Sequence, residues 1–397
     1  MYNFVVFSLS RWNIEYGCNI KDICIELSKN HKVLYIDVPL KRKDRWLRRD
    51  SAAVKEVVQR VRNKKHLQQV NQNLWHYIDE QILESVNSIT NNWIFDVINK
   101  VNAGRFANVI LRATKSIGFT DFILLNDNDI YNGYYLYQYL KPKLAVYYLR
   151  DRLPAMKYWS KHAGRLEPTL ITNSDLVLTN SEYLKEYAAR FNSESYYVGQ
   201  GCEVEHFLIP PSQPKILDIP RPIVGYIGAL NGERLNIDLI FHLATSMPQL
   251  SFVFIGHEDS IFLSSRLHEL SNVYFLGAKE FNDLPSYLYQ FDVAINPQKF
   301  NEITVGNYPR KVDEYLASGK PVVNTKTDAM RPFTKYVYLA ETPSEFANCI
   351  LLALKEDSEL ESKRRKEFAA THTWRNSVAE MLKHIGNSIN KKLGHTK

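Results

Sequence analysis

Short apolar segments of three to six residues alternate with amphipathic helical stretches along nearly the whole chain, and the alternation restarts after a proline-rich joint. A strand–helix alternation of this kind folds as parallel sheet, because each crossover helix packs back on a face of the sheet. In the first half the strands read 4–9, 33–38, 74–78, 122–125, 145–149, 176–178 and 196–198, with helical patterns such as 20–29, 93–115 and 182–191 between them. The joint is Ile209-Pro210-Pro211-Ser212-Gln213-Pro214, followed by Pro220 and Pro222. Strands then read 223–227, 251–255, 273–276, 293–296 and 321–324, with helices at 236–245, 264–270, 284–290 and 310–318. A chain of 397 residues also exceeds one ordinary core. The expected class is therefore α/β: two Rossmann-like, doubly wound domains at 1–208 and 209–373, facing across a cleft lined by carboxyl ends of strands. A terminal helix within 374–397 is expected to pack back toward the first domain.

Apolar residues make up 45% and charged residues 23%, the balance of a globular chain rather than a disordered one. No apolar run reaches the ~20 residues that span a bilayer. Residues 2–9 lack the charged start and cleavage site of a leader and read as a core strand. Cys18, Cys24, Cys202 and Cys349 are scattered without metal-ligand or redox spacing, which points to a reduced, cytoplasmic setting.

The net charge of +7 is unevenly spread. Residues 41–65 hold eleven Lys or Arg against Asp44, Asp50 and Glu56, interleaved with Trp46, Leu47, Val54, Val57, Val58 and Val61 at helical spacing. Three readings suit such a segment: a solvated surface helix, a contact with the anionic inner face of the plasma membrane, or a nucleic-acid contact. No recognition motif accompanies the third, so no nucleic-acid partner is expected.

Two segments carry candidate chemistry. In the first, the strand 223–227 ends at Gly228 and is followed by Ala229, Asn231, Gly232 and Arg234 before a helix near Asn236. A helix start after a strand offers free N–H groups and partial positive charge to a diphosphate, and Arg234 adds a full charge. The second runs from Asn307 to Val323. Pro309 fits a helix start and Gly319 its stop, and Pro321-Val322-Val323 is a buried strand. Lys311 and Glu314, three apart, share a helix face. They read either as an ordinary surface pair or as a cation for diphosphate beside a carboxylate for ribose hydroxyls.

From about 222 to 372 the order of motifs resembles retaining GT-B glycosyltransferases of the family 4, or group 1, type, bacterial cell-surface polysaccharide subgroup. The matching pieces are the Gly228 turn, 252–256 (Phe-Val-Phe-Ile-Gly), 273–277 (Val-Tyr-Phe-Leu-Gly), 284–288 (Leu-Pro-Ser-Tyr-Leu), 291–297 (Phe-Asp-Val-Ala-Ile-Asn-Pro) and the 309–323 block. The first half matches more faintly, at 33–39, 174–181 and 201–207. The resemblance implies a GT-B fold and transfer of a sugar from a nucleoside-diphosphate sugar to a glycan or lipid-linked acceptor. It places Arg234 at the family's diphosphate cation and Glu314 at its ribose carboxylate, with Lys311 or Arg310 at hand for a second cation. Gly277, Ala278 and Lys279 fall where the family holds the base, and Asn307 and Tyr308 where the sugar lies. Two positions depart: Ala229 replaces an arginine, and Gly306 replaces the first glutamate of a pair whose second member is Glu314. No DxD-like metal motif stands in a fitting context, since 126–129 lies on the acceptor side, so no metal and no cofactor beyond the donor are expected.

On the acceptor side, strand ends in the first half offer Asp127 within Asn126-Asp127-Asn128-Asp129, then Asp151 and Arg152, and the loop Ser10, Arg11, Trp12, Asn13, Tyr16 and Gly17. Asp127 reads as a sugar ligand or, more simply, a helix cap. Trp12 suits stacking on a sugar ring. His257 after a strand is more simply structural. An epimerase or hydrolase on the same scaffold, and a silent sugar-nucleotide binder, remain the competing readings.

Overall fold

The computed structural model describes residues 1–13, 18–211 and 217–394. Tyr16, Gly17 and the centre of the proline-rich joint, 212–214, lie outside them. The chain divides into two compact units, Met1–Gly199 with Ser377–Lys397, and Gln200–Asn376.

The first unit contains β1 (Asn3–Ser8), β2 (Lys32–Ile36), β3 (Leu67–Asn71), β4 (Leu74–Tyr77), β5 (Ile123–Asp127), β6 (Leu144–Leu149), β7 (Leu176–Thr179) and β8 (Ser195–Tyr197). Their order is β3-β4-β2-β1-β5-β6-β7-β8. Every pairing is parallel except β3–β4. Strand order reverses between β1 and β5, where Ser8 pairs in register with Asp127. Central strands are continuous apolar runs because helices cover both faces: Phe4, Val5, Val6 and Phe7 are all buried. The long Asn92–Ser116 helix supplies Phe106, Val109, Ile110 and Ala113 to one side of that core.

The second unit contains β9 (Ile223–Ile227), β10 (Ser251–Ile255), β11 (Val273–Phe275), β12 (Val293–Asn296), β13 (Val322–Thr325) and β14 (Tyr338–Ala340). All pairings are parallel, in the order β11-β10-β9-β12-β13-β14. Here the order reverses at β9 and β12, so Gly228 leaves the sheet at its switch point. Open α/β sheets bind ligands at such points.

Several local expectations shift. The basic segment is two helices, Arg42–Leu47 and Ala52–Arg62, because Ser51 accepts the Val54 N–H at 3.4 Å and starts the second afresh. The helix that follows residues 126–129 is a single turn, Ile130–Gly133. The Val204–Leu208 helix lies in the second unit, where Val204 and Phe207 join Val312, Tyr315 and Leu316 in one core. From Ser377 onward the terminal Trp374–Gly394 helix belongs to the first unit. Its His384 stacks on Tyr196 at 4.0 Å, and Lys391 pairs with Glu194 at 2.6 Å.

Candidate functional site

In the second unit Lys311 meets the end of β9 at Gly228. Gly228 has φ +142°, a conformation that side chains rarely adopt. A Cβ there would lie 2.9 Å from Lys311 Nζ. The ammonium of Lys311 donates to the Tyr226 hydroxyl at 2.6 Å and sits 4.4 Å from that ring's centroid. Tyr226 in turn donates to the Ala229 carbonyl at 3.2 Å. Gly228 and Lys311, eighty-three positions apart in sequence, therefore meet at one turn.

Lys311 comes from the Arg310–Ala317 helix. Val312, Asp313, Tyr315, Leu316 and Ala317 are buried, while Arg310, Lys311 and Glu314 form its half-buried strip. Gly319, with φ +78°, ends the helix as expected. Burial pushes the Glu314 carboxyl up from its ordinary value, with Arg310 and Lys311 opposing. Arg310 Nε stands 3.6 Å from Glu314 Oε1.

Below that strip Asp313 is fully buried. The Tyr308 hydroxyl donates to it at 2.8 Å and His372 Nδ1 lies 2.7 Å away. Burial raises the Asp313 carboxyl, opposed chiefly by His372. Tyr308 is itself buried, so its hydroxyl serves Asp313 rather than lying open to a sugar. Asn307, one residue earlier, is half-buried on the loop, with its N–H on Thr304 at 3.2 Å.

The helix after Gly228 starts later than a simple strand–helix turn would give, at Ile237, and Asn236 caps it through the Leu239 N–H. Residues 229–236 instead form a loop stitched to its neighbours. Leu230 N–H bonds His257 O at 2.8 Å, Lys299 N–H bonds Arg234 O at 2.7 Å, and Asn236 N–H bonds Pro297 O at 2.9 Å. Lys299 Nζ adds a bond to Gly232 O at 2.6 Å. Arg234 is thus held by its backbone, while its guanidinium has no hydrogen bond or ion pair among the described residues. Gly277 has φ +68° and, with Ala278, is exposed after β11; Lys279 lies 5.6 Å from the Tyr287 ring. A separate cavity of 580 Å³ at the ends of β13 and β14, lined by Phe300, Lys326, Arg331 and Glu341 among others, includes none of the predicted donor residues.

In the first unit the strand ends are more internally satisfied than the sequence suggests. Asp127 is fully buried, with Oδ2 accepting from Ser8 at 2.6 Å and Oδ1 from Arg150 Nε at 2.8 Å. It neither caps a helix nor faces outward; Asp129 is the cap, accepting the Asn132 N–H at 3.0 Å. Arg150 also donates to Asp151 at 2.7 Å, leaving Asp151 partly exposed. Burial works against the Arg150 charge, but Asp127 and Asp151 outweigh it and raise its pKa. Arg152 lies 3.4 Å from buried Glu167. Trp12 is only 6% exposed, packed against Tyr35 and His76, and so offers no open face for a sugar ring. Arg11 bonds Asp37 at 3.2 Å and the Val38 carbonyl at 3.1 Å.

Sequence reasoning missed Tyr226, Lys299, Arg150, Ser8 and the Asp313–His372 pair. Only Arg150 carried a local signal, as the neighbour of Asp151 at a strand end.

Comparison with known proteins bears on the family and the fold. Residues 221–356 match the family model for Glycosyl transferases group 1. A relative, the putative teichuronic acid biosynthesis glycosyltransferase TuaH of Bacillus subtilis, is 28% identical over 236 residues, 55% of this chain. That match spans 59% of the relative's own length. Sucrose-phosphate synthase from Thermosynechococcus elongatus superposes with a TM-score of 0.68 at 12% identity, covering 100% of both chains. Anabaena HepE in complex with UDP and glucose gives 0.63 at 16% identity, covering 96% of this chain and 100% of that one. The chain carries a glycosyl transferase group 1 domain at 221–356, on a two-unit α/β scaffold of the GT-B class.

Proposed function

We propose that the protein moves a sugar from a nucleoside-diphosphate sugar to a glycan or lipid-linked acceptor in cell-surface polysaccharide synthesis, with retention. The observation that carries this reading is the meeting of Lys311 with the Gly228 turn at the switch point of the second sheet. The teichuronic acid relative and the UDP-bound neighbour support the same donor and pathway class. In this reading Lys311 and Arg234 take up the charge that develops on the diphosphate as the anomeric C–O bond breaks. The Glu314 carboxylate accepts from ribose hydroxyls, the 277–279 turn holds the base, and Asn307 lies toward the sugar. The acceptor oxygen forms the new bond to the anomeric carbon, and its proton passes to the departing phosphate oxygen. No metal or further cofactor is assigned. Asp151 and Arg11, both partly exposed, remain the acceptor-side candidates. The protein works in the cytoplasm, at an anionic membrane surface reached through residues 41–65.

A thermal-shift screen with UDP- and GDP-sugars tests the donor class, since a ligand bound only by the folded state raises apparent stability. A shift with turnover on lipid-linked acceptor supports transfer. A shift without turnover leaves the silent binder, and no shift with any donor removes the proposal. Arg234→Ala should abolish turnover with the fold intact; unchanged activity would move the diphosphate elsewhere.

A further inference from the structure

The Arg42–Leu47 helix buries none of its residues. Trp46 is 79% exposed and Leu47 59%, a costly arrangement for a six-residue helix with no core to hold it. A second unpartnered apolar face lies on the Asn92–Ser116 helix. There Trp93, Val97 and Val101 stand exposed at successive i+4 positions with Ile94 beside them, and Trp93 is 73% exposed.

The helices that bear these two faces are tied to each other through Glu84. The next i+4 position after Val101 is Arg105, which donates to Glu84 Oε1 at 3.1 Å. The same carboxylate accepts from Arg42 at 2.8 and 2.7 Å, at the start of the short helix. Asn102 fixes the Glu84 backbone from both sides, at 2.8 and 2.9 Å. One clamp therefore ties the longer helix, one turn past Val101, to the start of the helix that displays Trp46.

Around it lies the chain's charge excess. Eleven cations and three acids fall within residues 41–65, more than the whole chain's +7. Lys43, Arg45, Arg62, Lys64 and Lys65 have no ion-pair partner among the described residues.

We propose that these two helices form a single bilayer-docking face, with Trp46, Leu47, Trp93 and Val97 entering the headgroup region of an anionic membrane. The inference deepens the membrane part of the proposed function, which named only residues 41–65, and it does not depend on the transfer chemistry. Tryptophan favours the water–lipid boundary, and lysine and arginine are drawn to anionic headgroups. The aliphatic ridge has no use on nucleic acid. Unpaired lysines disfavour a protein partner, since interfaces are depleted in lysine.

The test is flotation of the full chain with vesicles of phosphatidylcholine alone and of phosphatidylcholine mixed with phosphatidylglycerol. Binding is expected only to the mixed vesicles, weakening with salt. Trp46→Ser with Leu47→Ser, and separately Trp93→Ser with Val97→Ser, should each lower partitioning about tenfold or more at unchanged melting temperature. All four positions are exposed, so folding should survive. A normal result for the Trp93/Val97 variant overturns the two-helix face, and equal binding to neutral vesicles overturns the electrostatic half. Failure of the parent to float overturns the proposal; concentration-dependent self-association by light scattering would then assign the face to a second copy. The donor-induced thermal shift, measured on the same samples, reports separately on the transferase reading.

Discussion

Lys311 donates a 2.6 Å hydrogen bond to the hydroxyl of Tyr226, and its ammonium lies over the same ring, 4.4 Å from the centroid. One residue starts a helix and the other sits near the end of β9, so the contact fixes where a mobile, strongly hydrated charge points. With a diphosphate in place Lys311 would exchange a neutral partner for an anionic one. Lys311→Ala should then lower kcat by about a hundredfold or more, in the range seen when a group stabilising developing charge is lost. Tyr226→Phe keeps the ammonium and the ring and should cost about tenfold or less. Equal, large losses for both would instead assign the chemistry to the tyrosine. Donor kinetics on the two variants make the distinction.

Gly228→Ala probes the same meeting point from the backbone. The substitution meets a strained φ and puts a methyl 2.9 Å from Lys311 Nζ. The strain should cost about 1–3 kcal/mol of stability. Because the far end of a flexible side chain can move, the steric conflict should appear as weaker donor binding rather than unfolding. Gly256→Ala is the contrast. Its Cβ would collide with the backbone carbonyl of Gly228, which cannot step aside. The second variant should melt lower than the first, and the reverse order would refute this account of the turn.

Much of this architecture was legible because buried parallel strands are written as unbroken apolar runs; β1, β5, β9, β10, β12 and β13 all stand out that way. The strand β3 did not, since Gln68, Gln69, Val70 and Asn71 are exposed on a sheet edge and carry no apolar signature. Lys311 and Glu314 were readable from a helix face and a family pattern. The contacts of Lys311 with Tyr226 and of Asp313 with His372 were not, because Tyr226 looks like any core aromatic and His372 reaches Asp313 from fifty-nine residues away. Trp12 and Asp127 show the opposite failure. Sugar-binding residue types at strand ends suggested open contacts, and tertiary packing had already used them. Composition names what a side chain can do, while burial decides whether it is available.

Asp127 supplies the next prediction. It is fully buried and holds Arg150, only 19% exposed, together with Ser8 at the β1–β5 switch point. Asp127→Ala removes the main counter-charge from a largely buried guanidinium and leaves it Asp151 alone, so the cost should fall below the roughly 3–5 kcal/mol of a fully broken buried pair. Asp127→Asn retains an acceptor for one of the two bonds and should cost less. Chemical denaturation of both variants tests the order. If alanine proves no worse than asparagine, Arg150 does not depend on this carboxylate.

Glu167 gives the first unit a pH dependence of definite sign. It is fully buried on the Ser160–Asn173 helix, with Oε1 unpartnered and Arg152 3.4 Å from Oε2. Burial pushes its carboxyl from 4.5 up to about 7, against the pull of Arg152. Between those values the folded chain holds a proton that the unfolded chain releases. The stabilisation is therefore complete below about pH 4.5 and lost as pH rises through about 7. At 1.36 kcal/mol per unit, the parent should lose up to about 3 kcal/mol over that window from this group alone. Glu167→Gln has no such proton to lose. The stability of the variant relative to the parent should therefore climb from about pH 5 to about pH 8, whatever its starting offset from the lost Arg152 pair. Melting temperatures of both proteins across that range decide the point, because a gap that stays constant with pH would mean that Glu167 is already ionised in the folded state.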